Sequence, residues 1–161
     1  MAVIDQSLFI LKLFAVLGCG LMAGVFFAFS TFVMKALERI EPAQGIKSMQ
    51  SINITVINPL FMGVFLGTGA VCVFILVCLF LGWYRLNWLY LLVGSLLYLV
   101  GTLGVTIVFN VPLNEALAVV KPDSTDGIQL WSSYLRDWTF WNHIRAAAAL
   151  SASALFTLAL H

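Results

Sequence analysis

The stretch Trp138-Thr139-Phe140-Trp141-Asn142-His143-Ile144-Arg145 holds the residue types best suited to chemistry in this chain. An amide, an imidazole and a guanidinium stand at the entrance to a run of apolar and small residues, Ala146 to Leu160. Arginine and amide donors stabilise a developing oxyanion such as a phenolate or enolate. An imidazole titrates near neutral pH and can act as general base. Trp138, Trp141 and Tyr134 offer flat faces to an aromatic ligand. On a helix, Trp131, Tyr134, Trp138, Trp141, Asn142 and Arg145 fall within about 100° of arc, while His143 points with Arg136 and Phe140. We read His143, Arg145 and Asn142 as candidate catalytic groups. Asn58, Asn110, Asn114, Trp138, Trp141 and Tyr134 are candidate substrate-binding groups.

The elements that must position these groups follow from composition. In 161 residues, 62% are hydrophobic and 9% charged, against about 25% charged in ordinary soluble domains. Mean hydropathy is +1.04. Residues 13–34, 48–84, 86–114 and 146–160 contain no Asp, Glu, Lys or Arg. A helix needs about 20 apolar residues to cross about 30 Å of hydrocarbon. The first three runs suffice alone, and the fourth does so only if it begins near Trp138. The expected fold is all-α, a single integral-membrane antiparallel four-helix bundle with spans at about 8–35, 59–81, 88–110 and 138–160. Both termini then lie on one side. Asp5 and Lys12 make a poor basic leader, so the first span is expected to stay.

Some function classes drop out. A net charge of +1 gives no footprint for nucleic acid. No Gly-rich phosphate loop is present. Cys19, Cys72 and Cys78 fall inside spans without metal or redox spacing. His143 and His161 are too few for haem or zinc, so no metal and no cofactor is expected.

Gly20, Gly24 and Ala28, then Gly63 and Gly67, form stripes that let helices approach closely. After Pro42, Ile46, Met49, Ile52 and Val56 recur at helical spacing, with Lys47, Ser48 and Gln50 between. That predicts a short amphipathic helix on the membrane surface, or a lid over a pocket. Asn58-Pro59 is a helix start. Trp83, Tyr84, Arg85, Trp88 and Tyr90 form an aromatic belt around a tight turn. Thr106, Asn110 and Asn114 share a face if span three continues, and Pro112 predicts a kink or a fresh helix over 112–120. Residues 121–127 read as a loop. Lys35, Arg39, Lys47, Lys121 and Arg136 lie on one side, Lys12 and Arg85 on the other. The count places loops one and three in the cytoplasm, and the expected location is a bacterial inner membrane.

In such a bundle Asn58, Asn110, Asn114, Asn142, His143 and Arg145 gather at one end. Arg145 lies about 24 Å along the helix from the C-terminus, several ångströms inside the hydrocarbon. It needs a carboxylate, carbonyls or water. Glu115 and Asp137 are the candidate ion-pair partners. Either a structural network of helix caps or a small-molecule pocket fits this gathering.

Four segments carry a resemblance: Gly20-Leu-Met-Ala-Gly24 on to Phe32, Ser48 to Pro59, Thr106 through Asn110-Val-Pro-Leu-Asn114, and Trp138 through Trp141-Asn-His-Ile-Arg145. Together they resemble the anthrone-oxygenase-like family of small four-span membrane proteins. The resemblance implies oxidation of an anthrone-like phenolic carbon acid by molecular oxygen without metal or flavin. Arg145, Asn110 and Asn142 would hold the anion and His143 would take the proton. The expected partners are the lipid bilayer, a hydrophobic aromatic small molecule and a possible second copy of the chain. Two other readings stay open: a non-catalytic module that binds or transports a lipophilic compound, and a structural subunit of a membrane complex.

Overall fold

The computed structural model describes residues 2–83 and 86–160, with side chains from Gln6 onward. Tyr84, Arg85 and His161, which enter the aromatic belt, the charge count and the histidine count above, lie outside the described residues. Those described form five helical rods and no strand. Helix α1 covers residues 2–39, α2 is Pro42–Thr55, α3 is Pro59–Phe80, α4 is Trp88–Val119 and α5 is Thr125–Leu158. Within α1, Gln6–Arg39 is long and apolar enough to cross a membrane, as are α3 and α4. The protein is an integral membrane protein on this evidence. The second half of α5 is less apolar than these three, because it carries Asn142, His143 and Arg145.

Sequence explains where the rods start and stop. Asn58 caps α3, its Oδ1 accepting from Phe61 N at 3.0 Å, and Pro59 takes the first helical position. Both are suited to a helix start, since Pro lacks the N–H that would be orphaned there. Ser124 caps α5 by accepting from Gly127 N, so α5 begins at Thr125, inside the stretch read as a loop. Between α3 and α4 the turn uses Gly82 at φ 75° and Asn87 at φ 59°. These are the residue types that tolerate left-handed backbone.

At Pro112 a fresh α-helical segment begins, Val111–Val119, with the proline in its first turn, close to the expected 112–120. Helix α4 runs through the proline, with i→i+5 stretches at Leu97–Gly104 and Thr106–Asn110. The Val111 N–H donates to Thr106 O, five residues back. A widened turn ahead of the proline is where the helix absorbs a residue that cannot donate. Helix α1 has a similar stretch at Phe29–Val33.

Helix α5 lies along α1 for much of its length and also packs on α4, while α3 touches α1 and residues 88–104 of α4. Beyond Gly104, α3 and α4 separate. Gly101 permits the α4–α5 approach: a Cβ there would stand 2.6 Å from Ala148 Cβ. The stripes singled out above are looser. A Cβ on Gly20 would meet Ser153 Oγ at 3.4 Å, and Gly24, Gly63 and Gly67 face open space within this chain.

Two apolar cores result. One joins Cys19, Met22, Phe26, Phe65, Cys72, Ile75, Tyr98, Ala152 and Phe156. All three cysteines are free and buried within the rods. The other joins Met34, Leu37, Ile46, Met49, Leu117, Trp131, Tyr134 and Trp138. The second core takes in α2, the helix expected from the spacing of Ile46, Met49, Ile52 and Val56. Ile46 and Met49 are fully buried against protein. Gln50, expected on the polar face, turns inward and donates to Leu117 O (2.8 Å) and Val120 O (3.1 Å), satisfying the end of α4.

Candidate functional site

Where α3 and α4 diverge, a cavity of about 300 Å³ opens, walled by all five rods. Phe26 and Phe29 come from α1, Ile52 and Asn53 from α2, Phe61 and Phe65 from α3, Thr106 and Asn114 from α4, Trp138 and Arg145 from α5. Helix α2 covers one end of it. The wall is apolar except at four side chains: Asn53, Thr106, Asn114 and Arg145.

Arg145 is only 5% exposed. Its Nη2 donates to Asn142 Oδ1 at 2.7 Å and its Nη1 to Thr106 Oγ1 at 3.2 Å. Nε is buried without a partner. The guanidinium carbon lies 4.5 Å from the Phe26 ring centre and 5.0 Å from that of Trp138. Aromatic faces help to hold a desolvated cation, but they do not neutralise it.

Neither expected carboxylate reaches Arg145. Asp137 pairs with Arg136 at 2.7 Å on the surface, the ion pair among the described residues. That hydrogen bond holds the Asp137 carboxyl below its usual range. Asp137 precedes Arg145 by two helical turns, about 12 Å along the axis. Glu115 is exposed and forms no ion pair with Arg145. It follows Asn114 directly, and one residue turns a helical side chain by about 100°.

Asn142 is fully buried and ties α5 to α1. Its Nδ2 donates to Phe26 O and Ser30 Oγ, both at 2.7 Å, while its Oδ1 receives Arg145. Phe26 O lies in the turn ahead of the widened stretch of α1. Asn110 is buried too, donating to Trp138 O at 3.2 Å with Oδ1 unpartnered.

Asn114 is oriented by two aromatic donors. Its Oδ1 accepts from Tyr134 Oη at 2.9 Å and from Trp138 Nε1 at 2.8 Å. An indole N–H only donates, so the amide cannot flip and its Nδ2 is left as a donor at the cavity wall. Asn53 Nδ2 reaches Tyr134 Oη at 3.5 Å. Burial pushes the Tyr134 hydroxyl above its ordinary range, so it stays protonated and donating.

The remaining expected residues stand elsewhere. Asn58 is an exposed cap. Trp141 stacks on Phe109, ring centres 3.5 Å apart, outside the cavity wall. His143 is exposed and lines a separate groove of about 640 Å³ with Lys35, Glu38, Arg136 and Thr139. Ser30 borders that groove, so Asn142 and Ser30 form the partition between it and Arg145. Sequence reasoning missed Phe26, Ser30 and Asn53. Their signal was weak: a hydroxyl and an amide inside apolar runs, on rods whose facing was unknown.

These features define an all-helical integral membrane protein with an unneutralised cation on the wall of an internal apolar cavity. The family model described as anthrone oxygenase matches residues 61–155, more than half of the chain, and the chain belongs to that family. The match takes in Asn110, Asn114, Trp138, Asn142 and Arg145. No curated protein and no solved structure gives a match.

Proposed function

We propose that this protein is a membrane-embedded oxidoreductase that converts an aromatic carbon acid to a ketone with molecular oxygen, using neither metal nor flavin. The observation that supports it best is Arg145: a buried guanidinium without a carboxylate, on the wall of a cavity otherwise suited to a flat apolar molecule. Burying a cation without its counter-ion is costly. An anionic ligand oxygen would complete the site.

In this reading the substrate's phenol or enol oxygen docks against Arg145 and the free Asn114 amide. Their positive ends stabilise its anion, and the methylene proton leaves to water. The resulting carbanion adds oxygen, forming a C–O bond and a peroxide. Protonation gives a hydroperoxide; its remaining C–H proton is lost as the O–O bond breaks, and proton and departing hydroxide leave together as one water, giving the ketone. One methylene and one O₂ become one carbonyl and one water. Asn142 holds Arg145 in place. His143 faces the opposite groove, so we assign it no part in taking the proton.

The second half of α5 is read as a fourth span, closing an antiparallel four-helix bundle whose polar end carries α2. The charge count then puts that end in the cytoplasm, and a terminal tag protected from outside reagents would reverse the orientation. A second reading, a binding module for an amphiphilic anion, is favoured by one observation: no carboxylate or imidazole among the described residues lines the cavity. Oxygen consumption by purified protein with a panel of anthrones and hydroquinones separates the two. The proposal expects uptake with one ketone formed per oxygen, abolished in Arg145→Met. Ligand binding without uptake across the panel would leave the binding module standing.

A further inference from the structure

The cavity wall includes exposed residues that the chemistry above does not require. Among them are Leu66 on α3, Ile107 on α4 and Ile57 just before α3. These are 52%, 65% and 72% exposed. Leu66 and Ile107 belong to membrane spans, so their exposed faces meet lipid. Helices α3 and α4 pack together only as far as Gly104. Asn142 donates to Ser30 Oγ, and Ser30 also lines the groove that holds His143. The polar groups of the cavity wall, Arg145, Thr106, Asn114 and Asn53, are buried or half-buried, whereas Leu66, Ile57 and Ile107 are exposed.

Resting on the reading of Arg145 as an anion site, we infer that the cavity admits its ligand sideways from the bilayer, head first, through a mouth between Leu66 and Ile107. The ligand class is an amphiphile: an aromatic head with a phenol or enol oxygen, and an apolar tail that stays outside in lipid. The cavity limits the head, while tail length goes unread because the tail leaves the protein.

Two phenols sharing one head, one bearing a para-methyl group and one a para-dodecyl chain, test this in lipid nanodiscs. Binding is read as a difference between protein variants in the same lipid, which cancels partitioning. The wild-type protein binds both. Leu66→Trp with Ile107→Trp, bulky substitutions at lipid-facing positions, should weaken the tailed phenol at least tenfold and the short one less than threefold. A photoreactive diazirine at the tail end should label lipid or the outer faces near Leu66 and Ile107. Exclusion of the tailed phenol from wild-type protein, equal binding of it by the plugged variant, or labelling confined to Asn53 and Trp138 would overturn the mouth. Loss of Arg145 dependence for the short phenol would instead sink the reading of the site. The two failures are therefore distinct.

Discussion

The hydrogen bond between Asn142 and Arg145 gives a prediction with a definite sign. Asn142→Leu keeps the approximate volume but removes the bonds to Phe26 O, Ser30 Oγ and Arg145 Nη2. Interhelical hydrogen bonds in membranes average about 0.6 kcal/mol, so the first two contribute about 1 kcal/mol. The bond to the charged guanidinium contributes about 1.5–3 kcal/mol. The single variant should therefore lose about 2.5–4 kcal/mol of stability. Arg145→Met behaves differently. It forfeits two hydrogen bonds and two aromatic contacts but also relieves a buried, unneutralised charge, whose effective cost is several kcal/mol. Its net change should be within about 1 kcal/mol of zero, of either sign. In the double variant nothing charged is left stranded. It should be more stable than the sum of the single effects predicts, by about 1.5–3 kcal/mol. Reversible unfolding in mixed micelles, followed by tryptophan fluorescence for all four proteins, measures the cycle. Additivity within about 0.5 kcal/mol, or an Arg145→Met variant as damaged as Asn142→Leu, would refute the claim that Arg145 is kept for function at structural expense.

Other outcomes follow from the same geometry. Asn114→Asp keeps an acceptor for Tyr134 and Trp138 but replaces the free amide donor with a carboxylate oxygen; phenol binding, measured by calorimetry, should weaken at least tenfold. A bound phenol should titrate about 1–3 pH units below the free phenol, because the nearby cation favours its anion. Affinity therefore rises with pH until the free phenol itself ionises and is flat above that point, which absorbance titration of a nitrophenol with and without protein will show. Gly101→Ala, forced against Ala148, should cost about 1–3 kcal/mol, whereas Gly24→Ala, facing open space, should be neutral or slightly stabilising by thermal unfolding in detergent. His143→Ala should leave phenol affinity within twofold of the parent, since the ring lines the opposite groove.

Much of this was legible in the chain because helical periodicity sorts residues by face without any knowledge of neighbours. The spacing of Trp131, Tyr134, Trp138, Trp141, Asn142 and Arg145 already put them on one face of α5 and His143 on another; the structure buries all of the first set but Trp141, which is half-buried against Phe109, and exposes His143. The partners of that face were not legible. Periodicity does not say which rod lies opposite, so Phe26, Ser30 and Asn53 went unnoticed, and Glu115 and Asp137 were paired with Arg145 by proximity along the sequence. Helix α2 shows the same limit. Its apolar stripe was evident, but a stripe suits protein as well as lipid, and only the positions of Trp131 and Leu117 decide between them. Pro112 was a local signal that marks the start of the segment Val111–Val119, whereas the widened turn before it left no mark in the pattern.

With the second half of α5 spanning the bilayer as proposed, the two apolar cores of this molecule would stand in different solvents. Helix α5 has 34 residues, about 51 Å of helix against a hydrocarbon slab of about 30 Å. The core around Cys19, Cys72 and Phe156 lies where the surroundings are as oily as the side chains, so only close packing favours it. The core around Ile46, Met49 and Trp131 belongs to the stretch that extends toward water, where the hydrophobic effect acts, weakening on cooling and yielding to urea. Cold or denaturant should loosen α2 while the spans stay assembled. Because α2 lines the cavity, access to Arg145 would then follow the thermodynamics of water even with a ligand that arrives, as proposed, through oil.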